Sequence, residues 1–237
     1  MAKLLAFDTS TESMSIALQL PQGLLTREAV GGAQASARLI PDILALLTEA
    51  DCTLAQLDAI AFGCGPGAFT GLRTACSVAQ GLAFGAGKPV VPVDSLMLVA
   101  EDARSQGAAG EVWVAMDARM DEIYAGAYLW QGARWSVSSA PALYTVDALN
   151  ACWQTDSPAV VAGSALGAFG ERLNTMAAIR IDATRSRAEA LAQVAQQRWA
   201  DGVAVDAAHA LPVYLRDKVA QTTAEREAAR LAKEAVA

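Results

Sequence analysis

Leu4-Leu5-Ala6-Phe7-Asp8, an apolar strand pattern that ends in an aspartate, is the stretch of sequence that decides the fold. A second strand pattern with the same ending, Glu111-Val112-Trp113-Val114-Ala115-Met116-Asp117, begins the other half of the chain. After each of them the sequence predicts two more strands of an antiparallel meander, then helix, strand and helix. An element order that occurs twice indicates duplication of one α/β unit. We therefore predict two similar lobes, each a mixed sheet flanked by helices.

The predicted lobes occupy residues 1–104 and 105–209, and the C-terminal segment 210–237 is predicted to return to the first lobe. Thr222 and Glu225 have the spacing of a capping box, so this segment is predicted to end in a helix. In the first lobe Ser36 is the expected N-cap of one helix, and Gly85 the expected end of the next. Predicted helices span 36–50, 70–84, 164–176 and 188–199, and a strand spans 133–137.

Composition and charge limit the partners of the chain. Of its 237 residues, 54% are hydrophobic and 18% charged, as in a compact globular protein. The formal net charge is −7. Binding to nucleic acid requires clustered Lys and Arg side chains that neutralise phosphates, and this sequence has no such cluster. Any RNA substrate is therefore expected to be held mainly by another subunit.

The sequence also predicts a cytoplasmic protein with no membrane partner. The first apolar run stops at Asp8, which makes it too short for the apolar region of a signal peptide. No stretch approaches the ~18 consecutive apolar residues that indicate a transmembrane helix.

Four stretches, spread over nearly the whole chain, resemble the bacterial TsaB (YeaZ) family in their order and spacing. They are Leu5-Ala6-Phe7-Asp8-Thr9-Ser10-Thr11, Gly65-Pro66-Gly67-Ala68-Phe69-Thr70-Gly71-Leu72-Arg73, Asp117-Ala118-Arg119-Met120-Asp121-Glu122-Ile123-Tyr124 and Pro212-Val213-Tyr214-Leu215-Arg216. The second stretch is the most specific. The duplicated α/β unit is also similar to the lobes of the actin, sugar-kinase and heat-shock ATPase superfamily. The sequence departs from many relatives at Ala35-Ser36, where they carry His-Ser, and in a longer tail.

The resemblance implies a role in making threonylcarbamoyladenosine, the modified nucleoside beside the anticodon of certain tRNAs. TsaB-like proteins are taken to bind and support a TsaD-like catalytic subunit, together with a TsaE-like ATPase. The implied function is that of a non-catalytic scaffold without a cofactor, which forms a homodimer when alone.

The histidine content argues against metal or nucleophilic catalysis. His209 is the one histidine of the sequence, and no cysteine lies near it. A metal site needs several ligands, and Ser-His or Cys-His nucleophile schemes need a placed base. We therefore predict no metal site and no catalytic residue, and we regard peptidase activity as improbable.

Nucleotide binding is the alternative function, with an ATP-binding transferase or ATPase working in the cleft between the lobes. Its candidate loops are Asp8, Thr9, Ser10 and Thr11 after the first strand, and Gly65, Pro66 and Gly67 before a helix. Hydroxyl groups and backbone amides there could contact phosphates, although Asp8 would repel them unless a cation bridged the two. The competing interpretation is structural: Asp8 caps its own turn, and the glycines allow close packing. No lysine follows in the P-loop arrangement.

Two predicted helices of the first lobe are candidates for docking. Small or apolar residues recur at i, i+4 and i+8 on both: Leu39, Ile43 and Leu47, then Ala75, Ala79 and Ala83. Ordinary core packing would explain one side of the second helix, but its few polar residues leave the other side poorly solvated. We therefore predict docking on the equivalent helices of a partner or of a second copy. The predicted docking residues are Leu39, Ile40, Ile43, Leu47, Arg73, Cys76, Ser77, Ala79, Gln80 and Ala83, with Arg73 and Gln80 at the rim.

Overall fold

The first lobe is built on a five-stranded sheet in the order β3-β2-β1-β4-β5. The computed structural model describes residues 1–216, so the helix predicted around Thr222 and Glu225 lies outside the described residues. The meander consists of β1 (Leu4–Asp8), β2 (Ser13–Leu20) and β3 (Gly23–Val30), and β4 (Ala59–Gly65) and β5 (Val90–Asp94) continue the sheet in parallel to β1. Helix α1 (Ala35–Glu49) precedes β4, α2 (Phe69–Ala86) follows it, and α3 (Ser95–Ser105) follows β5.

The second lobe repeats this topology in the order β10-β9-β6-β7-β8. Its strands are β6 (Glu111–Asp117), β7 (Glu122–Trp130), β8 (Trp135–Thr145), β9 (Val160–Ala162) and β10 (Ile179–Ile181). Its helices are α4 (Val146–Asp156), α5 (Ala165–Phe169) and α6 (Arg187–Ala200). β6 takes the central place that β1 has in the first sheet. The predicted fold class, two similar lobes each with a mixed sheet flanked by helices, is therefore confirmed.

The helices and sheets form layers with a hydrophobic core between each pair. Side chains alternate across β1, so Leu5 and Phe7 pack towards α1 and α2, and Leu4 and Ala6 pack on the opposite face. That opposite face meets α3 and α6, which lie side by side between the two sheets. A third core joins the second sheet to α4 and α5. The apolar core is thus continuous across the lobe boundary.

The position of α6 corrects the predicted lobe boundary. Residues 105–209 were predicted to form the second lobe, yet α6 packs on β1, β2, β3 and β5 of the first sheet. Conversely, α3 lies within the predicted first lobe, yet it packs mainly on β6 and β7 of the second sheet. The chain therefore returns to the first lobe at Arg187, well before residue 210.

Several predicted bounds are also wrong. Helix α1 begins before Ser36, because a 3-10 turn (Gly32–Gln34) leads directly into it. Helix α2 passes Gly85 and ends at Ala86, and Gly87, with a left-handed φ of 64°, caps it. The helix predicted over 164–176 is the short α5 followed by a 3-10 turn, because Gly170 has φ 54° and ψ −125° and ends the helix. Strand β8 is longer than the predicted 133–137.

Among residues 1–216, no helix combines the length and the apolar character that crossing a lipid bilayer requires.

Candidate functional site

A cavity of about 660 Å³ opens between the lobes, where the carboxyl ends of β1, β4 and β6 meet. This volume is within the range of small-molecule pockets. The predicted loop residues Ser10, Thr11, Pro66 and Gly67 line it from the first lobe, and Asp117 and Arg119 line it from the second. The structure therefore brings the two candidate loops together at one end of the cleft.

Asp8 lies beneath this cavity and is fully buried. Its carboxylate accepts hydrogen bonds from the Ser10 amide at 2.6 Å and the Ser10 hydroxyl at 3.1 Å. Arg187 donates two more, from Nη2 at 2.8 Å and from Nε at 3.2 Å. Asp8 therefore does cap its own turn, as one interpretation predicted, and it also forms a buried ion pair that the sequence did not reveal.

Two further hydrogen bonds hold the turn after β1 against the start of α2. The Ala68 amide donates to the Ser10 carbonyl at 2.8 Å, and the Thr9 hydroxyl donates to the Gly71 carbonyl at 2.7 Å. The chains approach closely: a Cβ at Gly67 would lie 2.5 Å from the Ser10 carbonyl oxygen, and one at Gly71 only 1.8 Å from that of Thr9. These glycines are required for close packing of α2 on the turn after β1.

The loops do not fit a nucleotide with its metal ion. A bridging cation would need free carboxylate oxygens at Asp8, and Arg187 already contacts that carboxylate with two nitrogens. The Thr9 hydroxyl and the Ser10 amide, which would otherwise face a phosphate, donate to protein oxygens.

Further polar contacts connect the lobes at the rim of the cleft. Arg119 of the second lobe contacts Glu12 of the first at 3.0 Å, and the Ala188 amide of α6 donates to Glu28 at 2.8 Å. Arg216 forms an ion pair with Glu122 and donates to the Arg119 carbonyl at 3.2 Å.

A buried hydrogen bond joins the lobes deeper inside. Tyr128 on β7 donates to Asp94 at the end of β5 at 2.7 Å, while the other Asp94 oxygen caps α3. Burial raises the pKa of Asp94, although the hydrogen bonds from Tyr128 and from backbone amides oppose this rise. Burial also raises the pKa of Tyr128.

We expect Tyr128→Phe to lower the free energy of unfolding by about 2 kcal/mol, because a buried carboxylate loses a donor. Urea unfolding measures this. Tyr124→Phe is the control, since the Tyr124 hydroxyl has no hydrogen-bond partner among residues 1–216. Equal stability of the two variants would contradict the importance of this contact.

Residues 210–216, which we call the strap, run from α2 towards the second lobe. The Val213 amide donates to the Cys64 carbonyl at 2.7 Å, and the Tyr214 ring packs on Phe69 with centroids 5.1 Å apart. Three predicted docking residues contact the strap. Cys76 and Gln80 donate to the Ala210 carbonyl at 2.8 and 2.9 Å, and Arg73 donates to the Tyr214 hydroxyl at 3.2 Å.

The docking prediction needs a further correction. Leu39, Ile43, Leu47, Cys76, Ala79 and Ala83 are buried in the core of the first lobe, because their stripes face the sheet and the neighbouring helix. Of the predicted docking residues, Ile40, Arg73 and Ser77 are exposed, and Gln80 is partly buried.

Besides Ile40, other apolar side chains reach the surface of these two helices. Ile40 and Leu44 are exposed on α1, and Phe84 on α2 is 84% exposed. Val78 and Leu82 of α2 are half-buried, and Val78 shares a shallow groove with Ser36 of α1. Phe84 lies two residues beyond Leu82 and therefore projects from a different side of α2. We call Ile40, Leu44, Val78 and Leu82 the helix face. Helical spacing of four from Ile40 to Leu44 and from Val78 to Leu82 was the signal for it in the sequence.

Cys64 is the thiol nearest the cleft floor, and it is not an activated nucleophile. Burial, reinforced by the charges of Asp94 and Asp8, raises its pKa to about 12. A thiol with such a pKa is protonated at neutral pH, and the thiolate is the reactive form. His209 is exposed on a 3-10 turn. Among residues 1–216, no group of three or more His, Cys, Asp or Glu side chains has the arrangement of a metal site.

Comparison with known proteins places these features in one family. The family model described as TsaD, tRNA N6-adenosine threonylcarbamoyltransferase, matches residues 29–226. The chain is 32% identical over 226 residues to the tRNA threonylcarbamoyladenosine biosynthesis protein TsaB of Escherichia coli K12, covering 92% of this chain and 96% of that protein. It is 45% identical over 122 residues to TsaB of Haemophilus influenzae, covering 51% of each.

Solved structures agree with the sequence relatives. YeaZ from Pseudomonas aeruginosa superposes with a TM-score of 0.81 at 39% identity, covering 91% of this chain and 100% of that one. A second structure from that organism, described as an uncharacterized protein with similarity to peptidase YEAZ, gives a TM-score of 0.83 at 40% identity with the same coverage.

Proposed function

The chain belongs to the TsaB (YeaZ) family, and on that premise we propose that it is a non-catalytic subunit of a complex that forms threonylcarbamoyladenosine in tRNA. In this role it binds a TsaD-like transferase and holds it in a productive complex. The chemical step takes place on that partner.

The observation that carries this proposal is the helix face. Ile40 and Leu44 are exposed on α1, and Val78 and Leu82 are half-buried on α2, whereas the strap covers a different side of α2. Clustered apolar side chains at a surface are typical of protein interfaces. The chain therefore has a surface suited to a protein partner, next to a cleft whose floor is internally paired.

The choice of a TsaD-like partner rests on shared architecture. The transferase family model matches a region that contains both α1 and α2. A partner with matching helices can pair with this face in a pseudo-symmetric way, as related subunits commonly do. The same reasoning applies to a second copy, so we propose a homodimer when the chain is alone.

The charge of the chain supports an indirect contact with tRNA. With a net charge of −7, it offers little to the phosphate backbone, so we assign tRNA binding to other subunits. A TsaE-like ATPase as a further partner is part of the same proposal and rests on the family alone.

We expect Leu44→Arg to weaken binding of the TsaD-like partner by about 10- to 100-fold, because a charged side chain is desolvated within an apolar contact. Val137→Arg is the matched control: Val137 is 49% exposed on the second lobe, against 48% for Leu44. Calorimetric titration measures affinity, and thermal unfolding verifies that both variants are folded.

Reconstituted tRNA modification is the second readout. It should fall with Leu44→Arg, stay unchanged with Val137→Arg, and be absent with this chain alone. If folded Leu44→Arg binds the partner as tightly as Val137→Arg does, the helix face is not the docking surface. If the isolated chain turned over ATP, the alternative of an ATPase in the cleft would replace the scaffold.

A further inference from the structure

The Arg187 guanidinium lies in a cage of oxygens. Its Nη2 atom is 2.8 Å from the Asp8 carboxylate, 3.0 Å from the Ser10 hydroxyl and 3.2 Å from the Ser95 carbonyl. The three oxygens come from separate parts of the first lobe: the end of β1, the turn after it and the first residue of α3. The Arg187 side chain is only 7% exposed, and Asp8 is fully buried.

These oxygens are of the kinds that bind hard cations. Ca²⁺ and Mg²⁺ take carboxylate, carbonyl and hydroxyl or water oxygens as ligands. The cage is also held in place without help from Arg187, because the Ser10 amide and hydroxyl donate to the Asp8 carboxylate. The Ser95 hydroxyl, on the residue whose carbonyl contacts Arg187, is buried and has no hydrogen-bond partner among residues 1–216.

The place of Arg187 in its helix is unusual for a cation. It is the first residue of α6, where the helix dipole favours negative charge, and Glu189 follows in the same turn. Local helix electrostatics therefore do not explain a buried arginine at this position. The oxygen cage does explain it, since the guanidinium supplies the positive charge that these oxygens require.

We infer that the chain fills a cation site at the floor of the interlobe cleft with its own Arg187, so that removing this side chain gives a divalent hard cation access to Asp8. The positive charge at the cleft floor then belongs to a side chain of the protein and not to a bound ion. The cleft floor needs no metal ion for its structure, because Oδ2 of Asp8 accepts from Arg187 and from the Ser10 hydroxyl, and Oδ1 accepts from the Ser10 amide.

The test is Mn²⁺ titration followed by electron paramagnetic resonance. Arg187→Ala is expected to bind one Mn²⁺ per chain at least tenfold more tightly than the unaltered chain does, and Mg²⁺ or Ca²⁺ should compete. Adding Asp8→Asn to Arg187→Ala should abolish this binding. Arg27→Ala is the matched control, because it frees an exposed carboxylate, Glu49, that has no cage around it.

Two additional measurements cover a variant that folds poorly. Arg187→Lys should fold and bind no Mn²⁺, because its ammonium group can occupy the cage. If Arg187→Ala folds only weakly, the yield of refolded protein should rise with Mn²⁺, relative to buffer containing a chelator. The inference is overturned if folded Arg187→Ala shows no Asp8-dependent Mn²⁺ binding, if a weakly folding Arg187→Ala refolds with the same yield in chelator and in Mn²⁺, or if the unaltered chain binds Mn²⁺ through Asp8.

Discussion

Gly71→Ala is expected to destabilise the protein by about 3 kcal/mol or more. The new Cβ would lie 1.8 Å from the Thr9 carbonyl oxygen. The Cβ is fixed to the helix backbone and the oxygen belongs to the backbone of the turn, so no flexible side chain can move aside. Helix α2 would have to shift away from the turn after β1, with loss of the hydrogen bond from the Thr9 hydroxyl to the Gly71 carbonyl. Overpacking of this kind lies in the severe class of single substitutions. Urea unfolding with a fluorescence readout measures the change.

Gly81→Ala is the matched control in the same helix. A Cβ at Gly81 would meet nothing within 4 Å, and the residue is exposed. Alanine in a helix interior is favoured over glycine, so this variant should be more stable by about 0.5–1 kcal/mol. If the two substitutions change the free energy of unfolding by the same amount, the close approach at Gly71 does not determine how α2 packs on the turn after β1.

The two-lobed fold was predictable because its signal is repeated. Strand β1 ends at Asp8 and strand β6 ends at Asp117, and the same order of strands and helices follows each of them. Each half of the sequence therefore supports the interpretation of the other. The exchange of α3 and α6 between the lobes was not predictable. Helix α3 is buried on all sides over residues 95–103, and α6 is buried over most of its length. Their apolar residues therefore do not indicate which of the two similar sheets each helix covers.

The docking residues show a second limit of sequence patterns. A spacing of four along α1 identifies Leu39, Ile43 and Leu47 as one stripe, and Ile40 and Leu44 as the next. The pattern alone does not show which stripe faces the sheet. The more continuous stripe is the buried one. On α2 the polar residues Arg73 and Gln80 bind the strap, which lies more than a hundred residues away in sequence.

The role of Arg187 was missed for a similar reason. Asp8 and Arg187 are 179 residues apart, so no local pattern connects them. One signal was present: an arginine at the first position of a helix that also carries an acidic residue in its first turn. An arginine at such a position predicts a carboxylate partner elsewhere in the fold, but only the structure shows that this partner is Asp8.

The ion pair between Asp8 and Arg187 yields the second large effect. Asp8→Asn or Arg187→Met alone is expected to lower the free energy of unfolding by about 3–5 kcal/mol, because each leaves a buried charge without its partner. The double variant removes both charges. It should therefore be less destabilised than the sum of the single variants by about 2 kcal/mol or more. Urea unfolding of all four proteins gives this coupling energy.

The pair Asp121 and Arg172 supplies the control cycle. Its two hydrogen bonds, both 2.7 Å, are shorter than those of the buried pair, but both side chains are more than half exposed. Solvent screens an exposed ion pair, so Asp121→Asn and Arg172→Met should combine almost additively. Strong coupling at both pairs would mean that bond length governs these contacts. Strong coupling only between Asp8 and Arg187 would mean that burial governs the strength of these contacts. The floor of the cleft would then depend on an arginine for its charge balance.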